Sequence, residues 1–267
     1  MTFNRNKTKF LFSLFLLLNY FSVIIFAQKV TNFRKLENNS FTVGEKLTFD
    51  IKYGFVTAGV AVMEIPKMKR ISGRDVYQIT FKVNSIPSFD PLYKVRDRYE
   101  TYLDKEGLFP WRFEQHIREG GYSRDFSAFF DQRRGVAKTS EGSYDIPLYV
   151  NDIISAFYYA RLFDFSEMKH GDVFELHNFY KDKVYPLQII YHGKETIEVE
   201  AGIFECIIVE PVIAKGGLFK TEGNIIIWLS DDQLRIPVKV KTKIIIGSID
   251  AELSEYKGLL IEPASKK

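Results

Sequence analysis

Apolar and polar residues alternate along most of this chain, from residue 45 to residue 256. A period of two places successive side chains on opposite faces of an extended backbone, so it predicts β-strands with one apolar face. Short turn-forming segments rich in Gly, Asp and Ser separate the alternating runs. Because short connections join neighbouring antiparallel strands, we predict a sheet built from hairpins. The clearest runs are 47–55, 77–83, 109–118 and 236–244.

One segment near the middle of the chain departs from this alternation. Residues 152–163 carry apolar side chains at helical spacing, and Asn151 or Asp152 is placed to cap the first turn. A single short helix must bury its apolar side, so we expect it to pack on the concave face of the sheet, with Arg161 directed toward a polar partner or solvent. The candidate residues of this helical plug or lid are Asp152, Phe157, Tyr158 and Arg161.

The first 27 residues have the three parts of a secretion signal. Basic Arg5, Lys7 and Lys9 precede an apolar run over residues 10–26, and Ala27 follows it. The run approaches the length of a membrane span, but its interior polar residues favour cleavage, which we expect after Ala27. We therefore expect a periplasmic or secreted protein with no integral membrane span after cleavage.

Removal of the signal leaves a chain without net charge. It takes away three of the 37 Lys and Arg and none of the 34 Asp and Glu. A neutral chain with interspersed charges offers no basic surface, so we expect no nucleic-acid partner. Cys206 is the only cysteine, which excludes an internal disulfide. Residue 28 is Gln, so no lipid-bearing cysteine follows the signal.

The expected fold is mainly β: a large curved antiparallel sheet, or a wrapped, half-open barrel, with the one central helix on its concave face. Its length suits one large β domain, which we assign to residues 44–258. An extended lead-in over 28–43 precedes this domain and a tail over 259–267 follows it. The helix joins two halves, 44–150 and 171–258. Such a sheet encloses either a filled core or an apolar cavity, and the sequence leaves both open.

Sequence motifs of known catalytic sites are lacking in this chain. It contains no nucleophile elbow, phosphate loop or dinucleotide fingerprint, and its four histidines are scattered, so we expect no cofactor and no metal. Two charged residues, Asp97 and Arg124, stand where the alternation calls for apolar side chains. A lone buried charge is costly, so we expect these residues to meet inside the sheet or to face a cavity.

Three segments of the chain resemble a bacterial family known as domain of unknown function 3108. They are residues 44–49 with Gly59 behind them, residues 152–161, and residues 228–238 with Gly247. The resemblance implies an exported, mainly β protein of Gram-negative envelopes. It also implies an architecture similar to the curved sheet and helix of lipoprotein carriers. No established activity and no catalytic residues follow from it.

These observations favour a non-enzymatic binding or scaffold protein of the cell envelope. Its partner would be a lipid or other hydrophobic ligand, or an envelope protein. Two alternatives remain open. A hydrolase of envelope polymers would use carboxylates such as Asp97, Asp152 or Asp231 as acid and base. An outer-membrane-associated assembly or structural protein would work through an exposed sheet edge or a surface patch.

Overall fold

The computed structural model describes residues 32–213, 225–244 and 247–267. The signal predicted over residues 1–27, its cleavage after Ala27 and the first part of the lead-in lie outside these residues. The described chain forms one antiparallel sheet of 14 strands and one α-helix, α1, at Ile153–Ala160. No helix in the described ranges has the length and apolar character to cross a membrane.

The strands follow the chain as one continuous series of ladders. Their bounds are β1 Lys46–Tyr53, β2 Val56–Ile71, β3 Arg74–Ser85, β4 Arg96–Asp104, β5 Pro110–Glu119, β6 Tyr122–Asp131, β7 Val136–Thr139, β8 Ser143–Asp145, β9 Val173–Tyr180, β10 Lys183–Val199, β11 Gly202–Ile213, β12 Ile225–Ser230, β13 Pro237–Lys243 and β14 Ser248–Lys257.

The chain enters the sheet at its centre and leaves it at its centre. It runs outward from β1 to β8, crosses through α1 to the opposite edge, and returns from β9 to β14, where β14 pairs with β1. Each of these neighbouring pairs is antiparallel. The mainly β fold with antiparallel hairpins, predicted from the alternation, is thereby confirmed.

The two edges of the sheet approach each other without forming a full ladder. Asn151, which follows β8, donates its backbone N–H to the His177 carbonyl on β9 at 2.8 Å, and its own carbonyl accepts from Phe179 at 2.7 Å. Phe130 on β6 packs edge-on against the ring of Phe179, with ring centroids 5.6 Å apart. The sheet is therefore a half-open barrel, joined across its opening next to the helix.

The helix begins at a cap that also fixes it to the sheet. Asp152 Oδ1 accepts the backbone N–H groups of Ile154 and Ser155 at 2.8 and 3.0 Å, and the Ser155 hydroxyl accepts the N–H of Asp152 at 2.9 Å. This reciprocal arrangement satisfies donors that the first helical turn leaves free. Thr101 on β4 donates its hydroxyl to Asp152 Oδ2 at 2.7 Å. The helix ends at Ala160, three residues before the end of the predicted segment.

The described part of the lead-in runs between the helix and the sheet. The guanidinium of Arg34 lies between the rings of Tyr149 and Tyr159, 4.2 and 4.4 Å from their centroids, and donates to the Gly107 carbonyl at 2.7 Å. Phe41 is buried and packs on the ring of Tyr158 in the helix. The lead-in therefore closes one end of the barrel.

Candidate functional site

Three adjacent cavities lie along the concave face of the sheet. The inner cavity, between α1 and strands β10 to β12, has a volume of about 270 Å³, the middle cavity about 250 Å³, and the outer cavity about 550 Å³. Phe81 on β3 borders all three cavities. We call their combined space the apolar groove.

Apolar side chains form the wall of the inner part of the groove. All the described residues that line the inner cavity are apolar, and among those that line the middle cavity only Thr242 carries a polar side-chain atom. Phe157 of the helix and Ile227 of β12 face both cavities. A wall of this kind gives water few hydrogen-bonding partners, so it favours an apolar occupant.

The two sides of the helix have different surroundings. Tyr158 is completely buried and packs into the main core, whereas Ile153 and Phe157 are only partly buried and line the inner cavity. The apolar stripe predicted for the helix is therefore divided between a packed core and an unfilled space. This division keeps the groove open beside a firmly held helix.

The outer cavity contains a pair of carboxyl groups. Asp97 on β4 is 5% exposed and accepts the backbone N–H of Arg118 at 2.8 Å. Glu119, at the end of β5, shares hydrogen bonds with Asp97 and with the Tyr93 hydroxyl. Burial and the neighbouring Asp97 raise the pKa of Glu119, because both make its charged form less favourable.

The prediction that Asp97 and Arg124 meet is wrong. Asp97 and Ile117 occupy neighbouring strands in the same row, and Ile117 pairs with Arg124 on β6. Because each strand spacing is about 4.8 Å, the two charged residues stand about 10 Å apart, with Ile117 between them. The Arg124 guanidinium instead lies over the ring of Phe126, 5.4 Å from its centroid. Among the described residues, the partners of Asp97 are Arg118 and Glu119.

A second polar group, at the closed end of the barrel, is fully enclosed. Arg161, directly after α1, donates to both carboxylate oxygens of Glu45 at 2.7 and 2.9 Å, and neither side chain is exposed. Burial alone would lower the pKa of Arg161, but the charge and hydrogen bonds of Glu45 raise it above its ordinary value. Arg161 is therefore directed toward a polar partner, one of the two alternatives that we expected.

This buried pair joins three segments that are distant in the sequence. Arg161 also donates to the carbonyls of Ser40 and Leu234, at 2.9 and 3.0 Å. The Ser40 hydroxyl in turn donates to the carbonyl of Gln233 at 2.8 Å. The lead-in, the end of α1 and the turn between β12 and β13 are thus held together. Each nitrogen of the Arg161 guanidinium donates a hydrogen bond to another part of the fold, so we interpret this arrangement as structural.

The three carboxylates considered for a hydrolase lie in different surroundings. Asp231 forms an ion pair with Lys194 at 2.6 Å near the surface. Asp152 is the buried helix cap, and burial raises its pKa to about 6. Its partner Thr101 lies four residues after Asp97 on β4, a distance of about 13 Å along the strand. Acid and base in glycoside hydrolases stand about 5 to 9.5 Å apart, so this spacing does not suit them.

The structure brings together two of the scattered histidines. His170 and His192 have ring centroids 5.2 Å apart, and His192 Nε2 lies 2.7 Å from a carboxylate oxygen of Glu210. Among the described residues, no group of three or more His, Cys, Asp or Glu side chains has an arrangement able to hold a metal ion. Cys206 is buried, and burial raises the pKa of its thiol to about 12.

Sequence reasoning missed several residues of these two sites. Glu119 continues the alternation of the predicted run 109–118 by one step, so its place on the inner face was available from the pattern. Glu45 belongs to a segment of the family resemblance, but nothing in the sequence indicated its pairing with Arg161. Phe81 was placed on the apolar face of its strand, without a sign that it borders three cavities.

A solved structure similar to this chain is a β-barrel-like protein of domain of unknown function 1849 from Brucella abortus. It has 10% sequence identity and a TM-score of 0.53, with 83% of this chain and 100% of that chain covered. At this identity the likeness concerns the fold alone.

Two further structures are similar at a lower level. One is a protein from Parabacteroides distasonis proposed to be a lipoprotein, with 12% identity, a TM-score of 0.36, and 85% of this chain and 100% of that chain covered. The other is a protein from Bacteroides fragilis proposed to be exported, with a YmcC-like fold, 10% identity, a TM-score of 0.32, and coverage of 85% and 100%. Comparison with curated proteins gives no match.

A family model matches residues 48–254, a range that extends from β1 to β14 and contains α1 and most of the apolar groove. The family is described as a protein of unknown function, DUF3108. The match confirms the resemblance seen in the sequence segments. The chain therefore belongs to the DUF3108 family of proteins of unknown function.

Proposed function

We propose that the protein is an exported binding protein of the cell envelope that holds a hydrophobic, lipid-like ligand in the apolar groove, without a catalytic step. The observation that carries this proposal is the groove itself. Its three cavities adjoin one another along the sheet, and the walls of the inner two are almost entirely apolar. Ligand pockets commonly have volumes of about 300 to 1,000 Å³, the range into which the outer cavity falls.

The form of the groove favours an elongated ligand. Phe81 and Phe157 stand where the cavities adjoin, so an occupant must pass along these rings rather than fill a single compact space. An acyl or other alkyl chain meets this requirement. The carboxyl pair of Asp97 and Glu119 stands at the outer end, where the polar part of such a ligand would lie.

The sequence supports export, because the first 27 residues have the pattern of a secretion signal. The periplasm is an aqueous space between two membranes, and a lipid that crosses it must be kept from water. An apolar groove of this kind would shield a lipid from that water. The spacing of about 13 Å between Asp97 and the partner of Asp152, and the ion pair of Asp231 with Lys194, give less support to the alternative of a hydrolase.

The direct test is to identify what the processed protein carries. The protein is purified from the envelope without detergent, extracted with organic solvent, and the extract is analysed by mass spectrometry. The proposal expects a stoichiometric lipid or other long-chain compound. An extract with no such compound, together with failure of the purified protein to bind diphenylhexatriene, an apolar fluorescent probe, would contradict it.

A variant that fills the groove tests the location. Val240 on β13 lines both the inner and the middle cavity, so Val240→Trp would place an indole between them. We expect diphenylhexatriene affinity to fall about tenfold or more, because an apolar contact area of this size is worth at least about 1.4 kcal/mol. The control is Val173→Trp, the same change at an exposed residue outside the cavities. Equal affinities of the two variants would place the ligand elsewhere.

A further inference from the structure

The open end of the barrel carries exposed apolar side chains on protruding connections. Phe55, at the tip of the hairpin between β1 and β2, is fully exposed, and Leu92, in the connection between β3 and β4, is 78% exposed. We define the apolar rim as Tyr53, Phe55, Val56, Leu92, Tyr93 and Tyr122, all of which are exposed. Exposed large apolar side chains gathered at one place mark interaction sites.

Hydrogen bonds show that these connections are neighbours. The N–H of Ile86 donates to the Ala58 carbonyl at 3.0 Å, which joins the connection after β3 to the start of β2. The N–H of Gly120 donates to the Lys94 carbonyl at 2.8 Å, which joins the same connection to the tip between β5 and β6. The connections of β1 to β6 at this end of the barrel therefore lie side by side.

The apolar rim borders the outer cavity of the groove. Tyr53 and Tyr93 belong both to the rim and to the lining of the outer cavity. Phe55 and Leu92 do not line any of the three cavities and extend away from them. The rim thus has an inner part that contacts the cavity and an outer part that is free to contact another surface.

Three ion pairs lie near the rim. Arg96 contacts Asp90 at 2.6 Å, and Arg118 contacts Asp125 at 2.8 Å. Lys52, which lines the outer cavity, contacts Glu252 at 2.7 Å. The opposite charges of each pair offset each other locally, so these six side chains do not create a field of one sign beside the apolar side chains.

We propose that the apolar rim docks on the surface of a lipid bilayer, with Phe55 and Leu92 entering its interfacial region and the mouth of the groove facing the lipids. Single apolar side chains at the ends of separate protruding tips suit a soft surface into which each can insert. A protein partner instead requires a closely packed central patch. The tyrosines of the rim are residues that favour the boundary between lipid and water.

A lipid-like ligand would enter the groove from this membrane surface. The role of docking rests on the proposed function, whereas docking itself does not require a bound ligand. Docking depends on Phe55 and Leu92, whereas ligand binding depends on the cavity wall. Variants of the rim and variants of the groove therefore report on the two proposals separately.

The test is flotation of the processed protein with phosphatidylcholine vesicles, at low and at high salt. We expect the parent chain to float with the vesicles at both salt concentrations, because apolar contacts are not screened. In the double variant Phe55→Ser with Leu92→Ser, we expect vesicle affinity to fall about tenfold or more. The variant lacks the two large apolar side chains whose transfer from water into the bilayer favours binding. Diphenylhexatriene binding by this variant should equal that of the parent.

A matched control is Leu260→Ser with Ile261→Ser, two exposed apolar residues that follow β14 at the closed end. This variant should bind vesicles like the parent. Three results would overturn the proposal: no flotation of the parent chain, flotation that requires phosphatidylglycerol and is lost at high salt, or equal flotation of the two double variants. Loss of a dimer on substitution of Phe55 and Leu92, without vesicle binding by the parent, would identify the rim as a contact between copies.

Discussion

The closed and the open end of the half-open barrel use their residues in opposite ways. At the closed end, Arg161 and Glu45 are completely buried and joined by two hydrogen bonds. At the open end, Phe55 and Leu92 are exposed and the outer cavity lies beside them. Apolar surface that stays exposed contributes nothing to folding. The exposed side chains of the open end therefore contribute little to the stability of the fold, which leaves them available for contact with a partner.

The largest expected effect follows from breaking the closed end. Glu45→Ala removes the carboxylate and leaves the Arg161 guanidinium buried without its counter-charge. Loss of one partner of a buried ion pair costs about 3 to 5 kcal/mol, so we expect the free energy of unfolding to fall by that amount. Urea denaturation monitored by tryptophan fluorescence measures the change.

A surface residue supplies the control for this experiment. Lys35 contacts Glu106 at 3.6 Å, and its side chain is 77% exposed. Because exposed ion pairs contribute about 0 to 1 kcal/mol, Lys35→Ala should leave the free energy of unfolding almost unchanged. Replacing both buried partners, Glu45→Leu with Arg161→Met, should cost less than the two single changes together. Equal losses in Glu45→Ala and Lys35→Ala would show that the buried pair is not a main support of the fold.

A second prediction concerns the cap that ties the helix to β4. Burial raises the pKa of Asp152 from its ordinary 3.8 to about 6, so the folded protein holds this proton more tightly than the unfolded chain. The contribution of Asp152 to stability is therefore present at low pH and falls as pH rises from about 4 to about 6. This shift corresponds to a loss on the order of 3 kcal/mol.

Asp152→Asn should remove this pH dependence, because Asn caps helices well but does not ionise. The measurement is the free energy of unfolding of parent and variant at several pH values from about 4 to 7. We expect the difference between the two proteins to shift in favour of the variant as pH rises. A constant difference over this range would mean that Asp152 stays ionised in the folded protein.

The sequence predicted the elements of the fold because their signals are local. Alternation over 77–83 identified the centre of β3, and the cap and spacing around Asp152 identified α1. The faces of the strands followed from the same period of two. Asp97 is buried on the same face of β4 as Leu103, and its row also contains Arg124.

The candidate sites depended on distances that no local pattern contains. Glu45 and Arg161 are separated by 116 positions in the sequence, and only the three-dimensional fold brings them together. The pairing of Asp97 depended on how many strands separate it from each candidate partner. The volume of the groove depended on how closely Phe157 of the helix approaches Phe81 of the sheet, which no pattern of apolar residues determines.

The smallest expected effect concerns the mouth of the groove. Burial and the neighbouring Asp97 raise the pKa of Glu119, so this residue stabilises the fold below its ordinary pKa of 4.5 and loses that contribution as pH rises through its raised value. Glu119→Gln keeps a hydrogen-bond donor beside Asp97 but cannot take a charge. We therefore expect the variant to have a higher urea midpoint than the parent at neutral pH, and an equal midpoint at acid pH.

The control is Glu205→Gln, at a glutamate whose side chain is 56% exposed. It should leave the urea midpoint almost unchanged relative to the parent at both pH values, because its partner Lys267 is also exposed. The two ends of the barrel differ in the sign of the expected change in stability. Removing Glu45 should destabilise the protein, since its charge is matched by Arg161, whereas removing the charge of Glu119 should stabilise it, since Asp97 already supplies a negative charge. A loss of stability in Glu119→Gln at neutral pH would show that the charge at the mouth, like that of Glu45, supports the fold.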